Sequence, residues 1–262
     1  MKRLLFLLFV VALPLPAADE VARLHVLFDK TWETRIRESP MFATSVGRHE
    51  YDDKLGSMTP ADLARRHAQA KAALAELSAI DRAALPPNEV VNADIFRRQL
   101  ENSIESYELG DYQMPFNADS GFHTGFSRLA EEVPLKTVKD YENYISRLRA
   151  WPRLVREEIA LMRMGIARGF TVPRATLDGY EKTMSAHVVD DPAKSVFWKP
   201  FARFPSTIPE ADRERLRNEG RAAVMEGGVA GYRELFDFFV KEYRPNARTT
   251  LAATALPNAA PT

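Results

Sequence analysis

Between Tyr141 and Glu181 the chain reads YENYISRLRAWPRLVREEIALMRMGIARGFTVPRATLDGYE, and the remainder has to pack around this stretch. Ile145, Leu148, Val155, Ile159, Met162 and Ile166 recur at intervals of three, four and seven residues, which gathers them into one stripe of an α-helix. Pro152 interrupts that stripe. A proline inside a helix lacks the amide donor and crowds the carbonyl one turn back, so a kink or split is expected there. Gly169 supplies the left-handed residue that ends a helix, and Pro173 suits the first turn of the next. The stretch therefore predicts a helical hairpin with a short, fixed turn.

The chain before the hairpin divides into amphipathic pieces. Val21, Leu24, Leu27, Phe28, Trp32 and Ile36 share one side of a first helix, which must end before Pro40 because a residue preceding proline is disfavoured in the helical region. A loop follows, in which Gly47 and Gly56 bracket Arg48, His49, Glu50, Tyr51, Asp52 and Asp53. Thr59, followed by Pro60 and Asp62, predicts a capped helix start, with Leu63, His67, Ala70, Leu74 and Leu77 on its buried side. Asn88 predicts the next cap, with Val91, Ile95, Gln99, Leu100, Ile104 and Tyr107 facing inward as far as Gly110. From Asp111 to Pro134 no period holds, and irregular connections of that length are usually functional or mobile. Thr137 with Asp140 then predicts a capping box at the head of the hairpin.

After the hairpin, Leu177, Tyr180, Met184 and Val188 predict one more helix, ended by Asp190, Asp191 and Pro192. Phe197, Trp198, Phe201 and Phe204 are interrupted by Pro200 and Pro205, so they cannot form a long regular element and instead plug a gap between helices. Thr207 and Pro209 open another helix through Met225, Gly227 and Gly228 break or bend it, and Tyr232 to Tyr243 continues with Leu235, Phe236 and Phe239 inward. No alternating strand pattern and no internal repeat is visible. The fold class is all-α.

Composition narrows the function. Basic and acidic residues number 36 each in 262 residues, which provides no broad positive field for nucleic acid. The chain has no cysteine, which excludes disulfides, thiolate zinc sites and a cysteine nucleophile. Lys2 and Arg3 precede the apolar run Leu4 to Leu13, and Pro14, Pro16, Ala17 and Ala18 complete the layout of a secretory signal peptide over residues 1–18, with cleavage expected after Ala17 or Ala18. That run is too short for a permanent membrane anchor. An exported, periplasmic or extracellular protein is expected.

Chemical motifs are sparse. His25, His49, His67, His123 and His187 include no pair three to five residues apart, as helical metal ligands would be. There is no G-x-S-x-G elbow, phosphate loop or dinucleotide fingerprint. The carboxylate pairs Asp52-Asp53, Glu131-Glu132, Glu157-Glu158 and Asp190-Asp191 read as solvated faces in a chain with 27% charged residues. His25 and His67 lie on otherwise apolar helix faces and read as packed histidines, whereas His49 and His123 lie in polar loops where sites are commoner.

Taken together, SPMFATSVGRHEYDDKL, DYENYISRL with ALMRMGIARGFTVPR, DPAKSVFWKPFARFP and GYRELFDFFVKEYRPNARTTLAATALPN resemble the bacterial family known as domain of unknown function 885. That family is similar to helical zinc metallopeptidases of the carboxypeptidase Taq and oligopeptidase type, whose H-E-x-x-H helix and later zinc-binding Glu lie beyond the point where this chain stops. The resemblance implies a multi-helix lobe, residues 19–243, forming one wall of a peptide cleft and not catalytic by itself. It also implies a tail, 244–262, that is disordered or cut short. Zinc is expected only in full-length members; this chain is expected to carry no cofactor. A peptide substrate and a separate C-terminal half are the implied partners, and the alternative is a secreted non-enzymatic peptide-binding or scaffold module. Within such a lobe, His123 and Arg174 are the expected substrate-positioning residues, Arg174 as the partner of a carboxylate. A severed lobe should also expose apolar surface, expected here at Phe197 to Phe204 and at Leu235, Phe236 and Phe239.

Overall fold

The computed structural model describes residues 17–257, and the expected signal peptide lies almost wholly outside them. Helix α1 spans Ala17–Glu38, α2 Pro40–Ser45, α3 Pro60–Ser78 and α4 Pro87–Leu109. Two single-turn helices, α5 at Phe122–Phe126 and α6 at Leu129–Glu132, precede the 31-residue α7 at Val138–Arg168. Short α8 (Lys182–Ser185) and α9 (Lys199–Ala202) lead to α10 (Glu210–Ala222), α11 (Ala230–Phe238) and α12 (Arg244–Asn246). Among the described residues no strand forms beyond one bridge between Phe116 and Gly121, so the fold is all-α. No described helix is long and apolar enough to cross a membrane.

The main core is built on α7. Its start is the expected capping box, in which Thr137 accepts from the Asp140 amide and Asp140 from the Thr137 amide. Gly169 ends it with φ of 72°. Of the kink or split expected at Pro152 the split does not occur, since α7 runs through it as one helix. The carbonyl that a proline at 152 leaves without a helical donor is that of Leu148. Gly227 packs there, so closely that a Cβ on it would lie 2.1 Å from that oxygen. The chain at Gly227 and Gly228 likewise does not break. It widens into a π-helical stretch, Ala223–Val229, that joins α10 to α11 and lies along α7. Gly231 repeats the close approach against the Trp151 ring.

The second arm of the predicted hairpin is absent as a helix. Leu177, Tyr180 and Met184 are buried as expected, but Leu177 sits on a 3₁₀ turn at Arg174–Leu177 and Met184 on α8, with Tyr180 in the turn between them beside Gly179 at φ of 80°. The aromatic run does plug the core, with Phe197 and Phe201 wholly buried. Trp198 and Phe236 are partly exposed, but Leu235 and Phe239 are wholly buried too, so the exposed apolar edge expected across these residues is mostly closed. The buried residues face α7, Tyr141, Tyr144 and Tyr232 rather than solvent. In the described part of the tail Ala247 is buried and Arg248 donates to the Thr171 carbonyl at 2.8 Å; residues 258–262 lie outside the described residues.

A smaller cluster joins α1, α3 and α4 through Leu24, Leu27, Leu77, Ala93 and Leu100. Thr59 caps α3 as predicted. Helix α4 is capped by Pro86 rather than Asn88, and its inward stripe is Glu89, Ala93 and Leu100, while Val91 and Ile95 are exposed. The helix carries two apolar stripes, and the one with the smaller side chain at its centre fits between α1 and α3.

Candidate functional site

His123, on α5, is wholly enclosed. The Thr183 hydroxyl donates to the Tyr180 carbonyl at 2.7 Å, so it accepts from His123 Nε2, 2.9 Å away, which places the imidazole proton on Nε2. Nδ1 is left as a buried lone pair without a partner, between Phe122, Tyr180 and Tyr232. Burial, and to a lesser degree His187, push its pKa down to about 4. Arg174 is elsewhere. Its guanidinium donates to the carbonyls of Pro245 and Ala247 and its amide to the Arg248 carbonyl, so it fastens the tail. His123 would meet a substrate only after its present packing opened, whereas Arg174 is exposed but its guanidinium is engaged by the tail.

Buried charges escaped the sequence reading at Arg147 and Glu158, and at Asp52, which is 5% exposed rather than on a solvated face. Arg147, wholly buried on α7, donates to the carbonyls of Lys54, Pro40 and Tyr51 and to Thr44 Oγ1, and lies 3.7 Å from Asp52. It locks the segment between α2 and α3 onto the core, and His49 joins from outside through a 2.8 Å contact of Nδ1 with Asp52. Glu158, expected on a solvated face, is 3% exposed with no partner for Oε2. Desolvation, then the neighbouring Glu157, raise its pKa to about 8 against an opposing pull from Arg66.

Two adjoining concavities lie on α3; others of about 490 and 370 Å³ lie between α7 and α11, at Arg156, Arg163 and Glu234, and between α1 and α4, at His25, Phe28 and Phe96. A groove of about 300 Å³ runs between α1 and α3, floored by Leu27, Ala70, Ala73 and Leu100. The alanines leave room that larger side chains would fill. Its rim carries both signs of charge: Lys30 pairs with Glu76 at 2.5 Å, Glu38 receives Arg65 at 2.7 Å, and Arg35 lies over the Phe42 ring at 4.0 Å. Arg35 has no carboxylate partner among the described residues. Arg66 and Ser103 also line an adjoining hollow of about 180 Å³, toward Tyr107 and Tyr112. Among the described residues no three His, Asp or Glu side chains come together to hold a metal ion, so they do not fit the zinc implied for longer family members.

The comparisons agree with this architecture. The chain superposes on the crystal structure of the "putative lipoprotein" from Colwellia psychrerythraea with a TM-score of 0.78 at 15% identity, over 91% of this chain and 44% of that one. At that identity the likeness establishes the fold, and this chain spans less than half the length of its neighbour. No curated relative matches the chain. The sequence profile of a bacterial family of unknown function matches residues 40–261, nearly the whole chain, which therefore belongs to that family, DUF885.

Proposed function

We propose that this chain is a peptide-binding lobe of an exported DUF885 protein, forming part of a substrate cleft and performing no chemistry by itself. The observation that carries this reading is the groove between α1 and α3. Its apolar floor suits a side chain, and its rim of Lys30, Arg35, Glu38 and Glu76 suits the alternating donors and acceptors of an extended backbone. Resemblance to helical zinc peptidases supports a peptide over other amphipathic ligands.

The alternative, a self-sufficient helical binding module, is favoured by one observation. Phe197, Phe201, Leu235 and Phe239 are sealed within the chain's own core, so the lobe needs no second half to cover them. Both readings place the peptide in the same groove. Calorimetric titration of purified chain with a mixed library of short peptides tests them, with Ala70→Trp as the blocked control. Saturable binding lost in the variant, at an unchanged melting temperature, is the expected result. Equal binding to both proteins removes the groove from the account. Peptide hydrolysis by the chain alone would overturn the non-catalytic assignment.

A further inference from the structure

The balance of charge over the whole chain hides a local excess on α9 and α10. Of the four carboxylates on α10, Glu210 is held by Arg213, and Asp212 and Glu219 by Arg215 at 3.2 Å each, which leaves Glu214 alone. Arg217 and Arg221 are exposed, stand one turn apart on the same helix, about 6 Å along it, and form no ion pair among the described residues. Aromatic rings fix them instead. The Arg217 guanidinium lies over Phe204 and that of Arg221 over Trp198, each 5.1 Å from the ring centre, and Arg217 Nε donates to the Phe201 carbonyl at 3.4 Å.

A ring face holds a guanidinium in place without cancelling its charge, as a carboxylate would. Arg217 and Arg221 are therefore positioned yet uncompensated. Lys199 and Arg203 adjoin the same two rings in sequence, are exposed, and likewise form no ion pair among the described residues. Helix α9 meets α10 where Gly220 sits against the Phe201 ring, so closely that a Cβ would lie 2.5 Å from it, and both cation pairs border one surface. Four cations against the single unmatched Glu214 make a positive patch on a chain of zero formal net charge. They are spread over two elements rather than gathered about one point, a layout that suits an array of phosphates better than one anion. Guanidinium forks take phosphate oxygens in pairs, and Trp198, half-buried under Arg221, is of a residue type enriched at bilayer surfaces.

We propose that this α9–α10 face docks the chain on an anionic phospholipid leaflet, with Arg217 and Arg221 on the lipid phosphates and Lys199 and Arg203 beside them. An exported chain, as proposed above, works beside such leaflets. None of the four residues lines the peptide groove, so the proposal stands or falls apart from that reading. The contact is peripheral and reversible. A basic side chain near an anionic leaflet strengthens binding about fivefold, so removing two lowers the partition coefficient about 25-fold, and added salt screens what remains.

The test is co-sedimentation of the exported chain, freed of the expected signal peptide, with vesicles of phosphatidylcholine alone or mixed with phosphatidylglycerol, at low and raised salt. Binding is expected to the mixed vesicles only, and to weaken as salt rises. Arg217→Gln combined with Arg221→Gln should lower the partition coefficient about 25-fold. Lys199→Gln combined with Arg203→Gln leaves both ring contacts intact and should lower it equally, which keeps the test decisive if the first pair lowers the melting temperature. Lys71→Gln combined with Arg98→Gln removes as much charge from exposed positions on α3 and α4 and should change binding less than about twofold. No binding by wild type, equal binding to both kinds of vesicle, or an equal loss in all three double variants overturns the proposal. So does full competition by free glycerol phosphate at the concentration of the lipid headgroups, which would make the patch a site for one soluble anion.

Discussion

Glu158 gives the sharpest test of the packing described above. Its carboxyl is raised from the ordinary 4.5 to about 8, first by burial and then by Glu157, which is itself held by Arg153 at 2.6 Å and by the Met58 amide at 2.7 Å. Arg66 is the cation that opposes the shift. The folded chain keeps the proton over a range in which the unfolded chain has lost it. Stability from this group is therefore complete below about pH 4.5, declines as pH rises, and is gone above about pH 8. Each pH unit across that window is worth about 1.4 kcal/mol, so the ceiling is about 5 kcal/mol; structural relaxation and water entry reduce it to about 2–4 kcal/mol.

Glu158→Gln has the same shape and cannot ionise. The two proteins should be equally stable near pH 4.5, and the variant should be more stable by about 2–4 kcal/mol near pH 8.5. Urea unfolding followed by far-UV circular dichroism at four or five pH values reads this difference directly, because all other titrations cancel between the two proteins. A constant difference across that range, or one that favours wild type as pH rises, would refute the buried neutral carboxyl.

His123 acts on the acid side. Its pKa is depressed from 6.5 to about 4, so its contribution is present above pH 6.5 and lost as pH falls through 4, and His123→Gln should flatten the acid limb by about 2–3 kcal/mol in the same titration. Arg147→Met should cost about 3–5 kcal/mol because Asp52 is left buried without its cation, and limited proteolysis should then cut near Arg48 or Lys54 before the rest unfolds. Gly227→Ala sets a methyl group against the Leu148 carbonyl, a backbone atom held by α7, and should cost about 3 kcal/mol or more in thermal unfolding; Gly125→Ala, with open space at its Cβ, should cost far less.

The helical class, the capping box at Thr137, the cap at Thr59 and the stop at Gly169 were legible because each is a local signal carried by a few neighbouring residues. What could not be read depends on pairs distant in the chain. Gly227, on another helix, packs against the Leu148 carbonyl that Pro152 leaves without a helical donor, a pairing no property of α7 reveals. The inward stripe of α4 is chosen by the volume left between α1 and α3, which no property of α4 reveals. Arg147 did leave a trace, since it falls between Tyr144 and Trp151 at helical spacing on the buried face. A charge in that register is either a core anchor or an error of phase. Glu158 shared that ambiguity and was assigned to solvent because it follows Glu157.

The site residues were harder still, for a physical reason. A binding hollow is a place where packing is incomplete, and the sequence announces it only by small residues where large ones would fit. Ala70 and Ala73 on α3 are that signal. Around α7, by contrast, aromatic rings from five segments fill the interior, and the histidine that looked most like a site, His123, is sealed among them. Function is therefore more readily accommodated by the looser α1–α3–α4 cluster than by the aromatic core. Arg66 links the two, since its Nη1 donates to the Ser57 carbonyl while the next amide, Met58, donates to Glu157 on α7. A ligand that drew Arg66 toward the groove would release Glu158 from its nearest cation and make its ionisation harder still. Ligand binding should then draw a proton onto Glu158 above about pH 8, and proton uptake measured by calorimetry in buffers of different ionisation enthalpy should vanish in Glu158→Gln.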